Sequence, residues 1–444
     1  MPKARYKQLL DRLADEIRSG RLSPGSRLPT HRALAAREGL ALVTASRVYA
    51  ELAAMGLVSG ETGRGTFVKE TALPPGQGVD LTAAAPDAVD LSFNYPALPG
   101  QAELLRQALR RLAQAGDLEA LLRYQPHGGR LRDRASVAHY LRARGLSVPP
   151  EQLMLVDGAQ HGLALTAMAL LQPGDVVAID ALSYPGFKLV AEAFRLELLA
   201  LPADGPGPDL DVLERLCRRR RVRAVYTMPT LQNPLGWVTG LKRRRALVAL
   251  ARQHGLMLIE DAAYAYLAEP APPPLAALAP ELTVYVSGFS KNVAAGLRVG
   301  YLVAPSAWVP AIERAIRATT WNTAGVMTAL ACGWLDDGSV ARLEAEKRAD
   351  ARLRQTLAAV LLKPLPRIGH PASYFLWLPL PEGVRADQLA LALMQQGIAV
   401  STAEPYATGK TVPHAIRLAL GSVELPVLRQ ALLRVAEAVA ERSV

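Results

Sequence analysis

Leu256-Met257-Leu258-Ile259-Glu260-Asp261-Ala262-Ala263-Tyr264 is an apolar run that ends in acid, with a tyrosine three residues past Asp261. Such a run, bounded by polar residues and too short for a helix of its own, reads as a buried strand. A second run, Thr283-Val284-Tyr285-Val286, leads through Ser287-Gly288-Phe289-Ser290 to Lys291. Working outward, Gln152–Val156, Val176–Asp180, Arg223–Met228 and Val299–Ala304 are further strand candidates, with helical stretches between several of them. Near-continuous apolar strands alternating with helices predict an α/β fold around a buried, mostly parallel sheet. Ligand groups in such sheets collect beyond the carboxyl ends of the strands. Asp261 and Lys291 stand there, and Asn233 lies in the loop that leaves its run.

These residues form a chemical set. A lysine after an apolar strand, flanked by small residues, suits a Schiff base with an aldehyde cofactor. A carboxylate in an apolar setting needs a partner, and the protonated nitrogen of a pyridine ring is one. Tyr264 and Asn233 can both reach the phenolate oxygen of that ring. Arg298, seven residues after Lys291, can clamp a phosphate bidentately. Gly158-Ala159-Gln160 opens a helix straight after a strand, and its free N–H groups form an anion site. Tyr184, in Ser183-Tyr184-Pro185-Gly186, can stack on the ring. An amide, a carboxylate, a phenol, an amine and a guanidinium in this order are the groups that hold pyridoxal 5′-phosphate (PLP).

The N-terminus carries a different message. Tyr6, Leu9, Leu10, Leu13 and Ile17 form an apolar stripe at helical spacing. After Ser23-Pro24-Gly25, Thr30 is the N-cap of a second helix that stops near Gly39. A third helix runs from about Val43 to Met55, and the runs flanking Gly63-Arg64-Gly65 predict a hairpin. Helix, helix, turn, helix, hairpin is the winged helix-turn-helix order. It would place the third helix in the major groove of double-stranded DNA and Arg64 at the wing tip.

Composition agrees with two modules. The 444 residues allow two or three domains. The net charge is +11, and residues 1–70, with 12 basic and 7 acidic residues, carry +5 of it. Positive charge is therefore about fourfold denser in that segment, which suits phosphate contact. Cys217 and Cys332 have no neighbouring Cys or His at metal-ligand spacing, so neither a disulfide framework nor a metal is expected. No apolar run approaches the roughly 18 residues of a membrane span, and the start is amphipathic, so a cytoplasmic protein is expected.

Leu28-Pro29-Thr30-His31-Arg32-Ala33-Leu34-Ala35, Ala50-Glu51-Leu52 and Gly63-Arg64-Gly65-Thr66-Phe67-Val68 resemble the GntR family of bacterial repressors. That resemblance implies DNA contacts at Arg27, Arg32, Thr44, Arg47 and Arg64. The chain departs from the family at Ala41-Leu42, where Ser-Arg is usual, and at Glu38, where Leu is usual. The residues from about 91 onward resemble fold-type I PLP enzymes of the aminotransferase class I/II kind. The fusion of the two resembles the MocR subfamily of transcription regulators.

The resemblance implies a winged helix-turn-helix over 1–70, a linker over 71–90, and an aminotransferase-like domain over 91–444. That domain would divide into a large subdomain (about 100–310) and a small α+β subdomain (about 311–444). It makes Lys291 the lysine of the internal aldimine and Asp261 the pyridinium partner, with Tyr264 and Asn233 on the ring oxygen and Tyr184 on the ring face. Ala159, Gln160 and Arg298 would hold the phosphate. Tyr124 would reach the phosphate of a neighbouring subunit, making a homodimer obligatory, and Arg417 would bind the α-carboxylate of a small-molecule effector. Gly288 stands where Ser or Thr is usual, so either Ser287 or Ser290 substitutes or the phosphate site is looser. Asp157 stands where Ser or Thr is common. The expected function is a PLP-dependent DNA-binding regulator that senses an amino acid, an amine or PLP itself. The alternative is an active aminotransferase with an accessory DNA-binding domain.

Overall fold

A computed structural model describes residues 2–18, 21–22, 25–54, 57–61, 65–68, 88–114, 118–409 and 411–442. The N-terminal head has helices α1 (Pro2–Arg18), α2 (His31–Glu38) and α3 (Leu42–Ala54), then strands β1 (Val58–Glu61) and β2 (Gly65–Val68). Thr30 caps α2 as its sequence predicts, its hydroxyl accepting from the Ala33 N–H at 3.2 Å. Gly39 ends the helix in the left-handed conformation, φ 61°. Leu9, Leu13, Leu34, Val48 and Leu52 form the core of the head. Tyr49 ties α3 to the turn before α2 by donating its hydroxyl to the Pro29 carbonyl at 2.7 Å. Glu38 replaces an apolar contact with an ion pair to Arg12 of α1 at 2.7 Å. The hairpin pairs Val58 with Val68 and Glu61 with Gly65. The wing tip, including Arg64, lies outside the described residues.

Seven strands make the main sheet: β4 (Leu153–Val156), β5 (Val176–Asp180), β6 (Glu197–Leu201), β7 (Val222–Thr227), β8 (Met257–Asp261), β9 (Thr283–Gly288) and β10 (Gly300–Val303). Their order is β4-β10-β9-β8-β7-β5-β6. β6, β5, β7, β8 and β9 run parallel, and β10 is antiparallel to both its neighbours. Apolar clusters built around Val177, Ile179, Tyr226 and Ile259, and around Leu155, Tyr285, Phe289 and Tyr301, pack the sheet. β6 had no counterpart among the predicted strands; it is the edge strand and only partly buried, so its apolar signal is weaker.

A second sheet holds β3 (Val89–Leu91), β11 (Phe375–Pro379), β12 (Ile398–Thr402) and β13 (Ala415–Ala419), in the order β11-β13-β12-β3. Residues 89 and 90, read from sequence as linker, thus belong to a strand that pairs in parallel with β12. Three residues are too few to show a period, which is why the strand was illegible. The rest of the expected linker, 71–87, lies outside the described residues. The guanidinium of Arg385, beside the second sheet, lies 4.2 Å over the ring of Phe67 in β2. Among the described residues, no helix is long and apolar enough to cross a membrane.

Candidate cofactor and effector site

A cavity of about 610 Å³ opens at the carboxyl ends of β7, β8 and β9. Asp261, the last residue of β8, is 1% exposed. Its carboxylate accepts from the Tyr226 hydroxyl at 2.8 Å and from the Ala263 N–H at 3.0 Å. Burial raises its pKa, against the pull of those two donors. Tyr226, on the adjacent strand β7, escaped the sequence reading because an aromatic inside an apolar strand looks like core packing. Tyr264 is buried beside the cavity, its hydroxyl 3.4 Å from the Asn94 amide nitrogen. Burial pushes the phenol of Tyr184, at the mouth of the helix Pro185–Ala193, above its ordinary value.

Lys291 stands three residues past the end of β9. Its Nζ donates to the Asn94 carbonyl at 2.5 Å and lies 5.0 Å from the Phe93 ring centre. Its own carbonyl accepts from the Tyr266 hydroxyl at 2.9 Å and from Lys347 Nζ at 3.0 Å. Burial, with Lys291 nearby, lowers the Lys347 amine to about 8. Arg417 of β13 is 4% exposed and reaches the same cavity. It donates to Asn233 Oδ1 at 3.2 Å and to the Ser92 carbonyl at 3.1 Å. With Oδ1 so engaged, the Asn233 amide nitrogen remains the donor for a ring oxygen.

Arg298 sits in the left-handed region, φ 50°, and donates to the Ser290 hydroxyl at 3.3 Å and the Asp157 carbonyl at 2.9 Å. Ala159 and Gln160 begin the helix Ala159–Leu170 beneath it. The Asp157 N–H donates to His161 Nδ1 at 3.1 Å, which gives that histidine a structural partner. The two candidate serines part company. Ser290 lines the cavity, whereas Ser287 donates to the Ala262 carbonyl at 3.1 Å and does not line it. Successive strand residues alternate between faces, so Gly288 and Ser287 cannot both face the phosphate cradle. It is Gly288 whose Cβ would lie 3.4 Å from the Ala159 nitrogen. Tyr124 is 83% exposed, packed on Trp321 at 5.6 Å, and stands apart from this chain's own cavity.

Arg27, Arg32 and Arg47 are exposed on the head, and Thr44 is half-buried. Arg47 pairs with Glu51 at 3.2 Å and lies 4.9 Å over the Tyr6 ring. Val43, at the start of α3, is a large apolar side chain 80% exposed on the same head.

The model for aminotransferase class I and II matches residues 86–435. The chain belongs to that family. The model for bacterial regulatory proteins of the gntR family matches residues 5–68, which gives the chain the domain arrangement of MocR-type regulators. The uncharacterized HTH-type transcriptional regulator YdeF of Bacillus subtilis is 26% identical over 94% of this chain and 90% of its own length. The 2-aminoadipate transaminase of Thermus thermophilus is 30% identical over 77% of this chain and 87% of its own. The crystal structure of the α-aminoadipate aminotransferase LysN from Thermus thermophilus, complexed with N-(5′-phosphopyridoxyl)-L-leucine, superposes with a TM-score of 0.74. It is 27% identical and covers 80% of this chain and 93% of the LysN chain.

The cofactor is PLP. The residues fit it. Gln160 Oε1 and Arg417 Nε are buried polar atoms without a partner among the described residues, and both residues line the cavity. Arg298, Ser290 and the N–H groups of Ala159 and Gln160 would supply donors for the phosphate, Asp261 an anion for the ring nitrogen, and Lys291 an amine for the aldehyde. Bound there, PLP supplies an electron sink for an amino compound. Gly158 (φ 86°) tests the cradle, since a Cβ there would lie 2.7 Å from Arg298 Nη2. Gly158→Ala should displace the guanidinium and raise the PLP dissociation constant roughly 10- to 100-fold, read by spectral titration. Unchanged affinity would remove Arg298 from the phosphate site.

Proposed function

We propose that this aminotransferase-family chain is a cytoplasmic transcription regulator, a homodimer in which Tyr124 serves the partner's phosphate site. PLP is held at Lys291 and Asp261, an amino-acid effector at Arg417, and operator DNA by α3 and the wing. One observation carries the reading. Lys291 and Arg417, the amine and the carboxylate binder, both donate to the backbone of one short strap, at Asn94 and Ser92. That strap continues from β3, where the chain arrives from the DNA-binding head. Bound PLP would draw the Lys291 amine from Asn94, and an amino acid that exchanges onto PLP would return it while its carboxylate draws Arg417 from Ser92, so the strap's contacts change at both points. Binding is thereby linked to the arrangement of the heads, provided the ligand favours one arrangement over the other.

The test is an operator-binding titration of the PLP-loaded protein with and without amino acids. A change in DNA affinity that follows the change in PLP absorbance supports regulation. DNA affinity indifferent to every compound that alters the absorbance refutes it. The second reading, transamination, is favoured by the presence of all the chemical groups around one cavity, and sustained release of a keto acid would establish it.

For the head, Arg47→Ala should weaken operator binding and reduce the slope of log affinity against log salt by about one. An unchanged slope would take Arg47 off the phosphate backbone.

A further inference from the structure

The cavity lining reveals what kind of amino acid it accepts, an inference that rests on the reading of Lys291 and Arg417 above. Among the described residues, four charged side chains line the cavity: Asp261, Lys291, Arg298 and Arg417. Each is already committed, to the ring nitrogen, the aldehyde, the phosphate and the α-carboxylate. Within one protomer, no lining cation among the described residues is left for a second acidic group, and no lining carboxylate for a second amine.

The α-carbon of the ligand must lie between Lys291 and Arg417. Two aromatic rings flank that space, beside Asn94 and Asn233. The Phe93 ring is 5.0 Å from Lys291 Nζ, and the Tyr406 ring is 5.3 Å from the Arg417 guanidinium carbon. Leu189, on the helix Pro185–Ala193, lines the same cavity and is 39% exposed. We infer that the effector is an α-amino acid with an uncharged, apolar side chain, aliphatic or aromatic, seated among Phe93, Leu189 and Tyr406. A charged side chain placed there would be desolvated without a counterion. An amine without a carboxylate would leave Arg417, 4% exposed, without its anion.

The experiment titrates the full-length, PLP-loaded protein with L-leucine, L-phenylalanine, L-glutamate, L-lysine and 3-methylbutylamine. The readouts are the PLP absorbance and the thermal unfolding midpoint. Leucine or phenylalanine should half-saturate both at concentrations about tenfold or more below those of the other three. Glutamate, lysine or the amine acting at equal or lower concentration would overturn the assignment. A lysine-bound PLP band that no compound alters would also overturn it, while leaving the cofactor reading intact. Absence of any such band would overturn the cofactor reading and this inference with it. Leu189→Arg, at a partly exposed position, should shift the preference toward glutamate by about tenfold. An unaltered preference would exclude Leu189 from the side-chain subsite.

Discussion

Lys291→Ala should abolish the absorbance of lysine-bound PLP while leaving the protein folded. Its amine donates to the Asn94 carbonyl at 2.5 Å and projects into the cavity. The backbone that carries it is fixed independently, since Tyr266 and Lys347 hold its carbonyl and Lys347 also donates to Pro96 and Val293. Removing the side chain therefore removes the covalent attachment without loosening the loop. PLP would remain only through its phosphate and ring contacts and should wash out on dialysis. The amino-acid response of DNA binding should vanish with it. The checks are the absorption spectrum, the thermal midpoint and the operator titration on one preparation. A retained lysine-type band would refute the assignment of Lys291.

Arg417→Leu should leave that band in place and weaken the response to amino acids by roughly 100-fold or more, the usual loss when a buried charge pair is broken. The substitution also strips the Arg417 donor from Asn233 Oδ1, while the Ser92 carbonyl keeps the Ser401 hydroxyl at 3.0 Å. A fall in stability of about 1–3 kcal/mol for the one acceptor left unsatisfied is therefore expected, and the thermal midpoint measures it. The same variant separates two kinds of sensor. If PLP itself were the effector, DNA binding of Arg417→Leu would still respond to added PLP and amino acids would be irrelevant in both proteins. If an amino acid is the effector, the variant binds PLP and ignores the amino acid.

Burial of Asp261 gives the site a further handle. Its carboxyl is raised by desolvation, with Tyr226 as a counteracting donor. Tyr226→Phe removes that donor and should raise the carboxyl further. The ring nitrogen then loses its anionic partner as pH falls, at a higher pH than in the parent protein. PLP affinity followed against pH should show the acid limb displaced upward. A coincident limb would mean that Tyr226 only fills space.

Much of this protein is written locally. Thr30 and Gly39 cap α2 because a hydroxyl and a Cβ-free residue stand at the right offsets. Asp261 and Lys291 fall at strand ends because apolar runs stop there, and open α/β sheets gather ligands at that edge. Even the choice between Ser287 and Ser290 was latent in the sequence, since strand alternation turns Ser287 toward Ala262. The resemblance of both modules to known families rested on residues a few positions apart. What the tertiary structure alone decided are the partners of those residues. Tyr226 meets Asp261 only when β7 and β8 pair in register, and Glu38 finds Arg12 only when α1 and α2 pack. The strap is the clearest case: Ser92 lies 325 positions from Arg417, and Asn94 lies 197 from Lys291. Periodicity and capping act within a few residues, so sequence carries them. A contact between distant carbonyls and side chains exists only once both sheets have closed around one cavity.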